Sequence, residues 1–171
     1  MTLTGHGSAT VEFPSDREAL VTRRFDAPAE IVFDALTKPE HVSVWFTDGD
    51  EDLEVCEIDL RVGGRYRYVG VFANGVRCSF HGTFLEIERP VRTVETWVFD
   101  GRPDDEAVET VTLHEEDGIT TMTILIAFAD QESRDSTTWT AADGVRAADG
   151  MQGSYDNLED YLATLAERRS A

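Results

Sequence analysis

Apolar and polar positions alternate with a period of two from Glu18 to Phe25, with Ala19, Val21 and Arg23 on one side and Leu20, Thr22 and Arg24 on the other. This segment is expected to be a strand. Asp26 to Glu30 then read as a helix start: Asp26 or Ala27 suits the cap, Pro28 the first turn, and Glu30 complements the helix dipole. Ile31, Val32, Ala35 and Leu36 supply its apolar stripe, and a second short helix opens at Pro39 and Glu40 and carries Val42, Trp45 and Phe46. From Leu53 the period returns to two. Strand-like segments run from Leu53 to Leu60, Arg65 to Phe72, Arg77 to Ile87, Thr93 to Phe99, Ala107 to Glu115 and Ile119 to Phe128. Turn residues separate them: Gly63 and Gly64, Asn74 and Gly75, Pro90, Gly101 with Pro103, and Asp117 with Gly118. After a polar stretch from Asp130 to Asp149, Met151, Tyr155, Leu158, Leu162 and Leu165 recur at helical spacing, which predicts a long amphipathic helix over 151–166.

One strand, two short helices, six strands and one long helix describe an α+β, helix-grip (START-like) fold. A seven-stranded curved antiparallel sheet would grip the C-terminal helix, because a twisted sheet with one apolar face must bury that face against something. A gap is expected where facing residues are small, at Gly82, Ala127, Gly150 and Gly153, with the N-terminal half of the helix at the roomy end. The length, 171 residues, suits a single domain. Residues 1–15 read as a flexible N-terminal segment and 16–171 as the domain.

Charge narrows the partners. The chain holds 34 acidic residues against 15 basic ones, a formal charge of −19, and its only lysine is Lys38. Such a surface repels phosphate backbones and anionic membranes, so neither nucleic-acid binding nor membrane insertion is expected. Self-repulsion of this size is relieved when salt screens it, and near-total loss of lysine is not needed for solubility alone. A halophilic, cytoplasmic protein from a salt-accumulating cell is the expectation. Met1 to Thr10 lacks an apolar core, and the longest purely apolar run, Ile124 to Ala129, is far below a membrane span.

Little in the sequence converges on chemistry. His6, His41, His81 and His114 are scattered, with no HxH, HExxH or CxxC arrangement, so no metal or other cofactor is expected. The GxSxG elbow is absent, and Gly5 to Gly7 lacks the strand that a dinucleotide fingerprint requires. Carboxylate pairs carry no information when one residue in five is acidic. Cys56 and Cys78 read as buried thiols, with a cross-strand disulfide as the alternative. Arg65 and Arg67 read as surface ion-pair residues, and His81 as a strand residue on the opposite parity from Gly82. Aromatic residues stand out: Trp45, Tyr66, Tyr68, Phe72, Phe80, Phe84, Trp97 and Tyr155 fall on segments that should face or rim the gap between helix and sheet.

Several motifs in order resemble a known family. These are Arg24 to Pro28, Val32 to Glu40, Trp45, Val62 to Tyr66, Phe80 to Gly82, Glu86 to Pro90, Arg92, and Gly150 and Met151 with Leu158 and Leu162. Together they resemble the SRPBCC superfamily, and most nearly the branch of Hsp90-ATPase-activator homologues, similar to the C-terminal domain of the Aha-type co-chaperone. The resemblance covers about Leu20 to Leu165. Where the family usually has Gly-Trp before the last helix leucines, this chain has Gly153, Ser154 and Tyr155. The resemblance implies a cavity for a hydrophobic ligand between sheet and long helix.

Three functions follow as expectations. The first is a binding module for a small hydrophobic or amphipathic molecule, walled by Trp45, Tyr66, Tyr68, Phe84, Trp97, Met151, Gly153 and Tyr155. The second is an interaction domain with a chaperone ATPase as partner, and a second copy of the chain is a further candidate partner. The third, least favoured, is a cyclase- or hydratase-like enzyme using His81, Tyr66 or a carboxylate in the same cavity.

Overall fold

A computed structural model describes residues 10–47, 51–71, 75–138 and 147–170, without the side chains of 136–138, 147–153, 166, 169 and 170. The first strand lies inside the segment expected to be flexible: β1 (Thr10–Glu12) pairs antiparallel with β2 (Glu18–Phe25), Val11 opposite Val21. Backbone pairing along an otherwise open edge outweighs the polar composition that hid this strand. Helices α1 (Ala29–Thr37) and α2 (Pro39–Trp45) follow, then β3 (Val55–Ile58), β4 (Arg65–Val71), β5 (Arg77–Glu88), β6 (Arg92–Phe99), β7 (Glu106–Glu116) and β8 (Ile119–Ala127). The sheet therefore has eight strands, not seven, in the order β1-β2-β8-β7-β6-β5-β4-β3, every neighbouring pair antiparallel. A short helix, α3 (Gln131–Thr138), which the element reading did not include, occupies part of the polar stretch, and α4 (Ala147–Ser170) begins before residue 151 and runs past 166.

Turn chemistry sets the strand boundaries. Asp117 and Gly118 both have positive φ, 55° and 78°, as a two-residue hairpin with right-handed strand twist requires. The α1 cap is not local. Pro28 is the N-cap and has no side chain to accept a hydrogen bond, and the Glu115 carboxylate of β7 accepts from the Ala29 N–H at 2.7 Å instead.

Strand register decides which side chains face inward. Partners across a ladder share a face, and Ala19, Ile126 and Glu109 form one such row, as do Val21, Ile124 and Val111. Buried Ala19, Val21, Phe25, Met122, Ile124 and Ile126 on this face form one core with Tyr155, Leu158 and Leu162 of α4, so the expected stripe of the helix does face the sheet. Arg23, 1% exposed, lies within this seam. Its guanidinium donates to Asp156 at 2.9 Å and to Glu159 at 3.4 Å and lies over the Tyr155 ring at 5.9 Å. Ser154 Oγ donating to the Phe46 carbonyl at 2.5 Å and Asn157 Nδ2 to that of Thr47 at 2.6 Å fasten the helix to the end of α2.

Candidate functional site

The inner face differs from one side to the other. Over β2 and β8 it is sealed by α4. Over β4 to β7, inward-facing Tyr68, Phe80, Glu95, Trp97, Phe99 and Glu109 keep part of their surface accessible. Side chains that face a core and still present surface line a recess.

Its walls are aromatic. Tyr66 and Tyr68 alternate inward on β4, opposite Gly82 and Phe80, and their ring centroids are 5.1 Å apart. Phe84 packs on Tyr66 at 5.5 Å, and Phe80 lies between Trp97 at 5.6 Å and Phe99 at 5.4 Å. Phe46 closes on Tyr68 at 4.8 Å. A bulge in β5 between Phe84 and Glu86 re-phases that strand, so that Phe80 and Phe84 face inward before it and Ile87 after it.

Gly82 is small for a different reason from the one expected. A Cβ there would lie 1.8 Å from the Thr96 carbonyl oxygen and 2.7 Å from the Tyr66 ring, so the tyrosine already fills the space. The Tyr66 hydroxyl donates to that same carbonyl at 2.6 Å. Ala127 is exposed and faces the other side, and so leaves no room inside.

The expected wall residues divide accordingly. Tyr66, Tyr68, Phe84 and Trp97 share the concave face, and Tyr155 stands over it from α4. Trp45 is a core residue beside them, its Nε1–H donating to the Ala35 carbonyl at 2.8 Å and its ring 6.4 Å from Tyr155. The Met151 and Gly153 side-chain positions, and Phe72, lie outside the described residues. His81 is exposed and pairs with Arg67 across the outer face, which removes it as an acid or base in the recess; Arg65 and Arg67 are exposed as well. Cys56 and Cys78 are half-buried, not fully buried as expected, and form no disulfide, β4 standing between their strands; burial pushes the Cys56 thiol up to about 11, the nearby Glu40 charge adding to it.

Two functional candidates were not visible in the sequence. Glu95 and Glu109 are direct partners across β6 and β7 and point into the recess, in the rows of Phe84 and Ile126. Burial pushes the Glu95 carboxyl up to about 8, the neighbouring Glu109 charge adds to it, and a 3.5 Å hydrogen bond from Thr93 Oγ1 opposes it. Burial likewise pushes Glu109 up to about 7. The pair therefore titrates as a unit across neutrality. Tyr66, Tyr68 and Tyr155, raised chiefly by burial and then by these carboxylates, stay neutral there. The only signal available beforehand was parity: each glutamate sits between inward neighbours, Thr93 and Trp97 or Ala107 and Val111, on strands joined by one hairpin.

Two other clefts flank α4. One, of about 320 Å³, is lined by Val44, Glu51, Asp52, Asn157, Asp160, Tyr161 and Thr164, and the other, of about 380 Å³, by Ile31, Asp34, His41, Leu165 and Arg168. Both are open and neither includes a sheet residue, so the concave recess is the better candidate despite them. Among the described residues no group of three or more His, Cys, Asp and Glu could hold a metal, and no helix is long and apolar enough to cross a membrane.

A large antiparallel sheet packed on one long helix, with partly accessible aromatic side chains on the face toward it, is the architecture of a helix-grip protein. The chain belongs to the family described as Activator of Hsp90 ATPase homolog 1-like protein, whose pattern matches residues 26–163. Its fold is shared by a protein of Rhodobacter sphaeroides, 25% identical, with a TM-score of 0.78 over 91% of this chain and 99% of that one. A Mycobacterium smegmatis protein is 20% identical, with a TM-score of 0.78 over 91% and 97%. CalU16 of Micromonospora echinospora is more distant in shape, 22% identical with a TM-score of 0.58 over 95% and 88%. No match was found among curated proteins.

Proposed function

We propose that the protein binds a small hydrophobic or amphipathic molecule between the concave sheet face and α4. The observation that carries this reading is the partly accessible set of Tyr68, Phe80, Trp97 and Phe99 on the same face as two inward carboxyls, beside a part of that face that α4 seals. Apolar walls with a few convergent polar groups are what a small-molecule site requires. Thermal-shift measurements with fatty acids, isoprenoids and aromatic polyketides, together with native mass spectrometry of the purified protein, test it. A ligand that raises Tm and quenches tryptophan emission is the expected result. If no compound shifts Tm and the protein carries nothing, the reading fails.

The Glu95 and Glu109 pair favours a second reading, an acid/base enzyme using the same recess, since a carboxyl poised near neutrality can both give and take a proton. Recovery of the bound molecule unaltered after prolonged incubation counts against it. Family membership alone supports a co-chaperone role, and a pull-down in molar KCl that recovers no ATPase removes that reading.

A further inference from the structure

Two carboxyls placed directly opposite each other on neighbouring antiparallel strands repel, and like-charged cross-strand pairs destabilise a sheet. On a fully solvated face this costs little, but Glu95 and Glu109 are half-buried in the recess and crowded by protein atoms. Glu109 makes no hydrogen bond to any described residue, and Glu95 accepts one long bond, from Thr93 Oγ1 at 3.5 Å. Among the described residues no protein cation lies against them: buried Arg23 is engaged with Asp156 and Glu159, while Arg89 and Arg92 are turned to Asp34 and Glu86. The wall around the pair is made of π-faces, those of Tyr66, Tyr68, Phe84 and Trp97. Paired acceptors with no donor, in an aromatic enclosure, are complementary to an organic cation, which the carboxylates attract by charge and the rings by their quadrupoles.

We propose that Glu95 and Glu109 form a recognition site for a ligand carrying a basic nitrogen, its ammonium group held by the two carboxylates and its carbon skeleton against Tyr68, Phe80 and Trp97. This inference rests on the recess being a small-molecule site, and it names the ligand class. Without ligand the pair retains a proton near neutral pH, and an ammonium ion takes that proton's place. Among the described residues, the titratable groups facing the pair from other elements are Tyr66 and Tyr68 of β4, Cys56 of β3 behind Tyr68, and Tyr155 of α4. The tyrosines and Cys56 remain neutral throughout the relevant range, so among these described groups the pair alone titrates between pH 6 and 8. Ammonium binding therefore strengthens as pH rises from 6 to 8, and at pH 7 it releases up to about one proton.

The test is calorimetric titration of the full chain with matched probes of one skeleton: tryptamine, its alcohol tryptophol and its acid indole-3-acetate. Tryptamine is expected to bind about tenfold or more tighter than tryptophol at pH 8, with indole-3-acetate weakest and the margin shrinking toward pH 6. Proton release is read from the apparent enthalpy in buffers of different ionisation enthalpy. Glu109→Gln and Glu95→Gln, shape-conserving changes whose folding is checked by Tm, should each abolish the amine preference and the proton release. Equal binding of amine and alcohol, or affinity that falls as pH rises, overturns the ammonium site while leaving the recess a binding site. Failure of all three probes, and of the lipid and polyketide panel, overturns both.

Discussion

Gly82 and Glu109 show how a single position can be set by what stands across the sheet from it. Glycine is required at 82 because the Tyr66 ring and the Thr96 carbonyl occupy the volume a methyl group would take. Gly82→Ala should cost about 3 kcal/mol, at the upper end of overpacking effects because the closest obstacle is backbone, and urea denaturation measures it. Glu109 has the opposite character, an inward group that the fold tolerates at a cost. Its carboxyl and that of Glu95 have folded pKa values above the ordinary carboxylate range, so between about pH 4.5 and 8 the folded state binds more protons than the unfolded one. Stability contributed by the protonated pair is fully present at the acid end of that window and is lost as pH rises through about 7 to 8. Glu109→Gln should flatten this decline and leave the protein more stable than wild type at pH 9, read from denaturation midpoints at several pH values. An unchanged pH profile would mean the carboxyl is not buried in solution.

At the scale of the element, α4 combines an apolar stripe with polar fastenings. Leu158 and Leu162 are fully buried against the sheet, and Leu162→Ala should destabilise by about 2–5 kcal/mol through lost burial and the cavity left behind. The periodicity of 151–166 made this stripe legible. The hydrogen bonds of Ser154 and Asn157 to Phe46 and Thr47 were not legible, because they join residues more than a hundred positions apart. Helix α1 teaches the same lesson about its own start. Local composition pointed to Asp26 or Ala27 as the cap, whereas Pro28 takes that position and Glu115 supplies the acceptor. Glu115→Ala should cost about 1 kcal/mol, the usual size of a lost N-cap, detectable as a lower Tm. Glu116→Ala, one residue along the same strand, serves as the control and should change Tm far less.

Across the whole molecule, the charge of −19 acts at long range, so its effect is read in bulk solution. Many of the ion pairs are exposed, among them Arg61 with Asp59 and Arg77 with Glu54, and pairs of this kind contribute little. They leave a large excess of unpaired acid. Raising KCl from low to molar concentration should raise Tm by several degrees, and no rise would remove the proposal of a salt-rich cytoplasm. Hydrophobic periodicity and turn residues by themselves determined seven of the eight strands, two of the three short helices and the long helix, because those signals depend on neighbours a few positions away, and the ordered motifs carried the resemblance to the family. Edge strand β1 escaped, since only pairing with β2 makes Thr10–Glu12 extended. The site was half legible. Aromatic residues marked its walls, but two glutamates among thirty-four acidic residues carried no mark. Tertiary structure alone selected them. Strand register and the bulge in β5 fix which parity faces inward, and burial on that face converts two ordinary carboxylates into a pair that titrates near neutrality.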